Sequence, residues 1–431
     1  MGKQMDKKKS SGVIVAGLGV LSAIGNDIAE CLSAFENGQA GMGAIHHLAT
    51  RHHEKIPVAE VKLSNEELAR RANVSPGTSR TALLSLLAAR AALEDAGLAG
   101  WGDAASTSQG NAATAPLKDA ANGTGSALRT GFISANTVGG MDKTEQFFAD
   151  FLSDPRKGRM RAAVQHECGY VTEWVADQLG LRDYITTIST ACSSSANAII
   201  FGARLIRHGL LDVVVAGGTD CLTKFTLNGF NTLMILDQQF CRPFDEDRQG
   251  LNLGEGAGYV VLVSDRVADR VRTGLYCRLS GYCNANDAYH QTASSPEGTG
   301  SYLAMKGALD RSGLQPSDID YINLHGTGTQ NNDVAEGTAI KRLFEPPYPR
   351  MSSTKSLTGH TLGASGGIEA VFSALSVKRG LVYPNLRFRT PMTDLPFVPE
   401  TDFLTNKPIR HVLSNSFGFG GNCSSLIFST L

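Results

Sequence analysis

Asp183-Tyr-Ile-Thr-Thr-Ile-Ser-Thr-Ala-Cys192-Ser-Ser-Ser-Ala-Asn-Ala-Ile-Ile-Phe-Gly-Ala-Arg-Leu-Ile-Arg-His-Gly209 begins as a strand and finishes as a helix. Its β-branched and aromatic start favours extended chain. Further on, Ala196, Ile199, Ile200, Ala203 and Ile206 share one helical face, and Gly209 is a C-terminal stop. Small residues fill the turn between. Cys192 therefore stands at a strand-to-helix turn, beside unpaired helix N–H groups. There a thiolate is stabilised, and the thiol pKa is expected to fall from about 8.5 towards neutrality. A buried structural cysteine fits the same position equally well, so the decision rests on other segments.

Outward from this stretch, strands and helices alternate. Val13–Leu18, Gly131–Ser134, Val213–Ala216 and Tyr259–Val263 are short apolar runs suited to covered strands. Thr81–Ala96 reads as a helix that stops at Gly97. Beyond the charged stretch Ser264–Arg272 a second series follows, with Tyr321–Leu324, Ala335–Phe344, Ile368–Lys378 and a final strand, Leu426–Ser429. The pattern predicts an α/β fold divided into 1–265, carrying the cysteine, and 266–431. No sequence repeat relates the two. Gly100–Ser126, rich in Ala, Ser, Thr, Gly and Asn, reads as a low-complexity surface insertion at about 100–126.

The 431 residues are enough for two cores, and 42% apolar with 19% charged residues is an ordinary globular balance. A net charge of −1 gives no electrostatic footing for nucleic acid. The N-terminus lacks a secretory core, Asp6 occupies the place where a myristoylation signal wants Ser or Thr, and no run is long enough to span a bilayer. The chain reads as soluble and cytoplasmic. Its eight cysteines form no Cys-x-x-Cys pair and no zinc spacing, so no metal is expected. Seven of them read as small buried hydrophobes, Cys192 being the exception.

Two histidines share the cysteine's kind of surroundings. His325 ends a strand and opens Gly326-Thr-Gly-Thr329; His360 lies in the glycine-rich run 352–369, with Lys355 upstream and Glu369 in the helix that follows. A Lys and a Glu so placed can orient an imidazole and set its protonation. Near the C-terminus, Ser414-Asn-Ser-Phe-Gly-Phe-Gly-Gly-Asn-Cys423 is a turn whose backbone N–H groups can face a reacting carbonyl. Condensation of two thioesters needs such a set: a soft nucleophile to carry an acyl group, and neutral N–H donors for an enolate. Cysteine with histidine alone says acyl transfer and no more.

The motifs Thr190-Ala-Cys192-Ser-Ser, His325-Gly-Thr-Gly-Thr329, Lys355-Ser-Leu-Thr-Gly-His360 and Asn415-Ser-Phe-Gly-Phe-Gly-Gly421 resemble the elongating β-ketoacyl-ACP synthases of the thiolase superfamily. Agreement runs from Val15-Ala-Gly-Leu-Gly19 through Ala216-Gly-Gly218, Arg242-Pro-Phe-Asp245 and Gly254-Glu-Gly-Ala-Gly258. The resemblance implies a thiolase-like αβαβα five-layer fold of two related halves, and decarboxylative condensation of an enzyme-bound acyl thioester with malonyl-ACP. By matching position Cys192 is the acylated nucleophile, His325 and His360 bind the malonyl thioester carbonyl, and Lys355 and Glu369 support them. Backbone N–H groups of Cys192 and Phe419 form the oxyanion hole, and Phe419 gates access. Thr292, Thr327 and Thr329 contact the phosphopantetheine arm, Phe417 lines the substrate site, and Val138 limits acyl length. No cofactor is implied beyond that arm, which the acyl carrier protein brings. The implied partners are this carrier, malonyl and acyl thioesters, and a second chain, either a homodimer mate or a chain-length-factor-like subunit.

Three departures stand out: Asn422-Cys423 after the last Gly-Gly, the insertion at 100–126, and the polar Gln165-His-Glu-Cys168 where the family borders its dimer interface and acyl pocket. They suggest a specialised chain, such as a polyene or aryl-primed one; drift in a fatty acid enzyme explains them as well. A degradative thiolase, with Cys423 as its second thiol, is the nearest rival, although two histidines and Lys355 exceed what it needs.

Overall fold

The computed structural model describes residues 12–97, 128–271 and 274–431. The expected insertion at 100–126 lies outside these residues. Ten strands form one sheet in the order β3-β2-β4-β5-β1-β6-β10-β9-β7-β8. The first five are β1 (Val13–Ser22), β2 (Thr130–Ala135), β3 (Tyr184–Ile188), β4 (Val213–Asp220) and β5 (Gly256–Ser264). The others are β6 (Cys277–Asn286), β7 (Tyr321–Asn323), β8 (Arg350–Ser352), β9 (His411–Gly418) and β10 (Asn422–Ser429).

The two sets repeat one plan. β3, β2 and β4 run parallel, and β5 and β1 follow antiparallel. In the second set β8, β7 and β9 run parallel, and β10 and β6 follow antiparallel. The sets meet where Ile14 and Val15 of β1 pair with Arg278 and Cys277 of β6. The duplication that no residue-by-residue similarity betrays is explicit in the strand order.

Helices complete five layers. Arg80–Ala96 covers the outer face of β1 and β5, and Thr299–Ser312 covers β6 and β10. Between the two sets of strands lie Ser194–Arg207, packed on β4, β2 and β10, and Ser365–Arg379, packed on β5 and β9. The central helix Ser365–Arg379 is buried from Ser365 to Val377, so apart from Glu369 its sequence there is apolar or small on every side. The expected element cores are present, and most extend beyond their expected bounds, although the strand expected at Tyr321–Leu324 ends at Asn323 and the helix expected to reach Phe344 ends at Leu343. Val213–Ala216 continues through Gly217-Gly218 to Asp220, because β2 and β5 pair with it on both sides. Likewise the helix expected at Ala335–Phe344 starts at Gln330, capped by the Thr329 hydroxyl. Among the described residues, no helix is long and apolar enough to cross a membrane.

Candidate active site

The duplicated plan brings the two central helices to one place, each preceded by a reactive side chain. β3 leads through Ala191, a non-glycine residue at φ 53, into Cys192 and then the helix Ser194–Arg207. That strained turn is held by Ser194, whose hydroxyl accepts from Thr190 N–H (2.7 Å) and donates to the Ala191 carbonyl (2.6 Å). In the other half, His360 precedes Ser365–Arg379 and is followed by Leu362 at φ 52. Its backbone is clamped by the extended segment 252–254: His360 N–H donates to the Asn252 carbonyl at 2.7 Å, and Gly254 N–H donates to the His360 carbonyl at 2.9 Å.

Cys192 Sγ lies 3.1 Å from His360 Nε2. Leu362 N–H donates to His360 Nδ1 at 3.2 Å, so that nitrogen carries a lone pair and the proton of the neutral ring sits on Nε2, facing the sulfur. His325 ends the chain segment after β7, and its ring meets that of His360 edge-on, centroids 5.4 Å apart. The Lys355 ammonium lies 3.3 Å from His325 Nδ1 and donates to the His325 carbonyl at 2.7 Å. Again the ring proton is directed to Nε2. The sulfur and one nitrogen of each ring lie within 4.8 Å of one another, the one cluster of metal-ligating atoms among the described residues. With an ammonium seated behind one ring, this cluster suits a nucleophile and two N–H donors better than a divalent cation.

Lys355 therefore serves His325, through space, rather than His360, its neighbour in sequence. It also pairs with the Glu369 carboxylate; both side chains are buried. Burial raises the Glu369 pKa to about 7 against the pull of Lys355, and its Oε2 is buried without a hydrogen-bond partner. Burial, with Lys355 nearby, holds both histidines well below their usual value. They stay neutral near pH 7.

The expected fall in the Cys192 pKa does not occur. The residue is 5% exposed, and burial pushes its thiol up to about 11, outweighing Lys355 and the backbone N–H groups of Phe419 and Cys192. Those two N–H groups both face the sulfur. Gly418 allows it: a Cβ there would stand 3.1 Å from both Cys192 N and Thr190 O. The other thiols are not uniformly buried either, since Cys168 and Cys283 are half-exposed.

A channel of about 260 Å³ leads from Cys192 past Thr327, Thr329 and Phe417 to Thr292 near the surface. The Thr327 and Thr329 hydroxyls are 2.9 Å apart, and Phe417 packs 5.9 Å from the His325 ring. Phe419 stacks on Phe230, centroids 5.7 Å apart and planes within 15°. Val138 does not line this channel. It is buried in a core cluster with Phe132 and Val215, its N–H held by Asp220. Nor do Gln165 and His166 reach it: Gln165 bonds Ser79 and Gly77, and His166 bonds Thr144, which are local ties. Cys423 packs against Ala304 and Phe417, outside the catalytic cluster, which removes the second thiol a degradative thiolase needs.

Several supporting groups carry no sequence signal. Glu336 accepts from His325 and Gly326 N–H at 2.9 and 2.8 Å, and Asp333 accepts from Thr327 N–H at 3.0 Å, so the helix Gln330–Leu343 holds the loop 325–329 from beneath. Asp220 binds Thr137 and Val138 in one half and Gly363, beside His360, in the other. Asn422 Oδ1 accepts from Ser193, Asn197 and Asn284, fastening the glycine turn to the nucleophile's helix. Spacing of polar residues along helices could have suggested Asp333 and Glu336, but nothing local marks their direction.

Residues 10–268 match the family described as Beta-ketoacyl synthase, N-terminal domain, and residues 276–389 match Beta-ketoacyl synthase, C-terminal domain. The chain is 33% identical over 427 residues to 3-oxoacyl-[acyl-carrier-protein] synthase 2 of Staphylococcus aureus (strain N315), covering 96% of this chain and 97% of the relative. It is 32% identical to nodulation protein E of Rhizobium meliloti (strain 1021), over 96% of this chain and 98% of that one. Among solved structures it is similar to the ishigamide ketosynthase/chain length factor, with a TM-score of 0.87 at 28% identity over 98% of this chain and all of the other. It also resembles the ketosynthase ApeO in complex with its chain length factor ApeC from Xenorhabdus doucetiae, with a TM-score of 0.79 at 29% identity, covering 99% and 100%.

Proposed function

The chain belongs to the beta-ketoacyl synthase family, and on that premise we propose how its own residues carry out condensation on carrier-borne thioesters. It is an acyltransferase of the 3-oxoacyl-[acyl-carrier-protein] synthase type. The observation that carries the residue assignment is the convergence of Cys192, His325 and His360 within 4.8 Å at the end of a channel.

In the loading step Cys192 Sγ bonds to the acyl carbon, and the carbonyl oxygen gathers charge against the N–H groups of Cys192 and Phe419. The bond to the carrier sulfur breaks, and the Cys192 proton leaves with that sulfur. The exchange suits a buried thiol because the proton passes from one sulfur to another. In the second step the malonyl unit loses CO2, and the electron pair of the broken C–C bond becomes an enolate. Neutral Nε2–H groups of His325 and His360 stabilise its oxygen without trapping it as a permanent ion pair. The enolate carbon attacks the acyl carbonyl, Cys192 is expelled, and one proton from solvent restores the thiol.

Lys355 and Glu369 position His325 and fix its tautomer. Thr292, Thr327 and Thr329 line the path of the phosphopantetheine arm, and Phe419, stacked on Phe230, gates it. The chain divides at 1–265 and 266–431, each half supplying one arm of the site. Action on a fatty acid or polyketide-like chain is supported by the relatives, among them a 3-oxoacyl-[acyl-carrier-protein] synthase 2 and ketosynthases with chain length factors. Intact mass after incubation with hexanoyl carrier protein tests the assignment. One hexanoyl adduct per chain is expected, absent in Cys192→Ala; an adduct that survives the substitution overturns it.

A further inference from the structure

We infer that Asp220 is a positioning residue for His360: its carboxylate holds the Gly363 N–H, and so keeps the Leu362 N–H on His360 Nδ1 and the ring proton on Nε2, towards the Cys192 sulfur. The inference rests on the function proposed above. Leu362 N–H and the Ser365 hydroxyl both reach Nδ1, at 3.2 and 3.1 Å. A hydroxyl donates or accepts and so suits either tautomer, whereas a backbone N–H only donates. The choice of tautomer therefore falls to Leu362 N–H. That group belongs to a non-glycine residue at φ 52, a conformation that persists only where its surroundings hold it. The joint at Leu362 sets the angle between its own N–H and that of Gly363, so fixing the second fixes the first.

Asp220 closes β4 and is fully buried. Its Oδ1 accepts from the Thr137 and Val138 N–H groups at 2.8 and 3.1 Å. Its Oδ2 accepts from the Thr137 hydroxyl and the Gly363 N–H, both at 2.7 Å. Burial raises its pKa to about 6 against these bonds, so near pH 7 the carboxylate is ionised and accepts at both oxygens. The donors other than Gly363 come from residues 137 and 138, so the carboxylate is anchored in its own half and Gly363 is what it holds. Glycine is required at 363 for so close an approach. A Cβ there would stand 2.7 Å from Oδ2, 3.0 Å from the Thr137 methyl group and 3.5 Å from Ser194 Cβ. One turn on, Gly367 N–H donates to the Ser195 hydroxyl at 2.7 Å. The start of the central helix is thus pinned by Asp220 and Ser195 to the half that carries Cys192.

The test separates the two half-reactions. Loading is followed as mass gain on Cys192 from hexanoyl carrier protein, and the malonyl step as CO2 release from malonyl carrier protein by enzyme already loaded. Asp220→Asn keeps the shape but turns an NH2 towards either the Gly363 N–H or the N–H groups of Thr137 and Val138. The kcat for CO2 release is expected to fall about tenfold or more, the loss typical of removing a histidine's orienting partner. KM for malonyl carrier protein stays within about twofold. Loading stays within about threefold, because its oxyanion donors are untouched and the Asp220 charge, which raises the Cys192 pKa, is gone. Gly363→Ala, whose methyl group presses on Oδ2, gives the same split and carries the comparison if Asp220→Asn does not fold. Thr137→Val removes one bond to Oδ2, leaves Gly363 held, and gives no split. Parallel loss of both steps, a split as large in Thr137→Val, or CO2 release within about threefold of wild type in the first two variants overturns the role of Asp220. A wild-type chain that hexanoyl carrier protein does not label overturns the proposed function instead.

Discussion

At Cys192 two opposing effects can be weighed. A helix start favours a thiolate by fractions of a kcal/mol to about 2 kcal/mol, whereas complete burial acts over several pKa units. Burial wins, and the thiol rests protonated with a pKa of about 11. Sequence revealed the turn and not the depth, because depth is made by Phe419, His325 and His360 arriving from remote segments. The thiolate fraction should therefore keep increasing well above neutrality. Inactivation by iodoacetamide is expected to accelerate about tenfold per pH unit from about pH 8 to 10, followed by mass of the Cys192 adduct. A plateau near pH 7 would show the helix end dominating. Lys355 makes the same point about distance: it opens the short helix Lys355–Thr358, which only Gly359 separates from His360, yet its ammonium reaches His325 in the other strand-end loop.

At the scale of elements, the turns carry the chemistry and the strands and helices hold them. Apolar β-branched cores such as Val213–Val215 and Tyr259–Val263 were legible because side-chain patterning marks them. Strand ends made of Gly, Ser and Asp were not, since two-sided ladder pairing extends them regardless of propensity. The site motifs were legible for another reason: glycine marks the places where backbone must approach backbone closely. Gly418 is the sharpest case. A methyl group there would press on Cys192 N and Thr190 O at 3.1 Å and move the Phe419 N–H off the sulfur. Gly418→Ala should lower kcat about 10²-fold, the loss typical of one oxyanion donor, while urea unfolding shifts little. If kcat stays within about threefold of wild type, Phe419 N–H is not an oxyanion donor. Glu336 and Asp333 were invisible in sequence because a carboxylate on an amphipathic helix looks the same whether it faces water or a loop's N–H groups.

The whole molecule is two copies of one five-strand plan joined at β1 and β6, and this arrangement leaves two sheet ends. β8 at one end is three residues long. β3 at the other is five residues long, and its side chains are half-exposed, with Ile185 at 38%, where β2, β4 and β5 are buried throughout. Among the described residues nothing pairs with its outer edge. A strand edge bearing Tyr184, Ile185 and Ile188 is an association hazard unless something covers it. Because β3 also feeds directly into Cys192, whatever covers it steadies the nucleophile's turn. A second thiolase-type chain laid along β3 meets both needs. Light scattering at about 10 µM should then give the mass of two chains, and Ile185→Lys, which places a charge in the contact, should shift it towards one. Acyl loading of Cys192 should slow in the same variant, since the turn loses its support. A wild-type chain of single mass that still loads at full rate would mean that β3 is sufficient unaided.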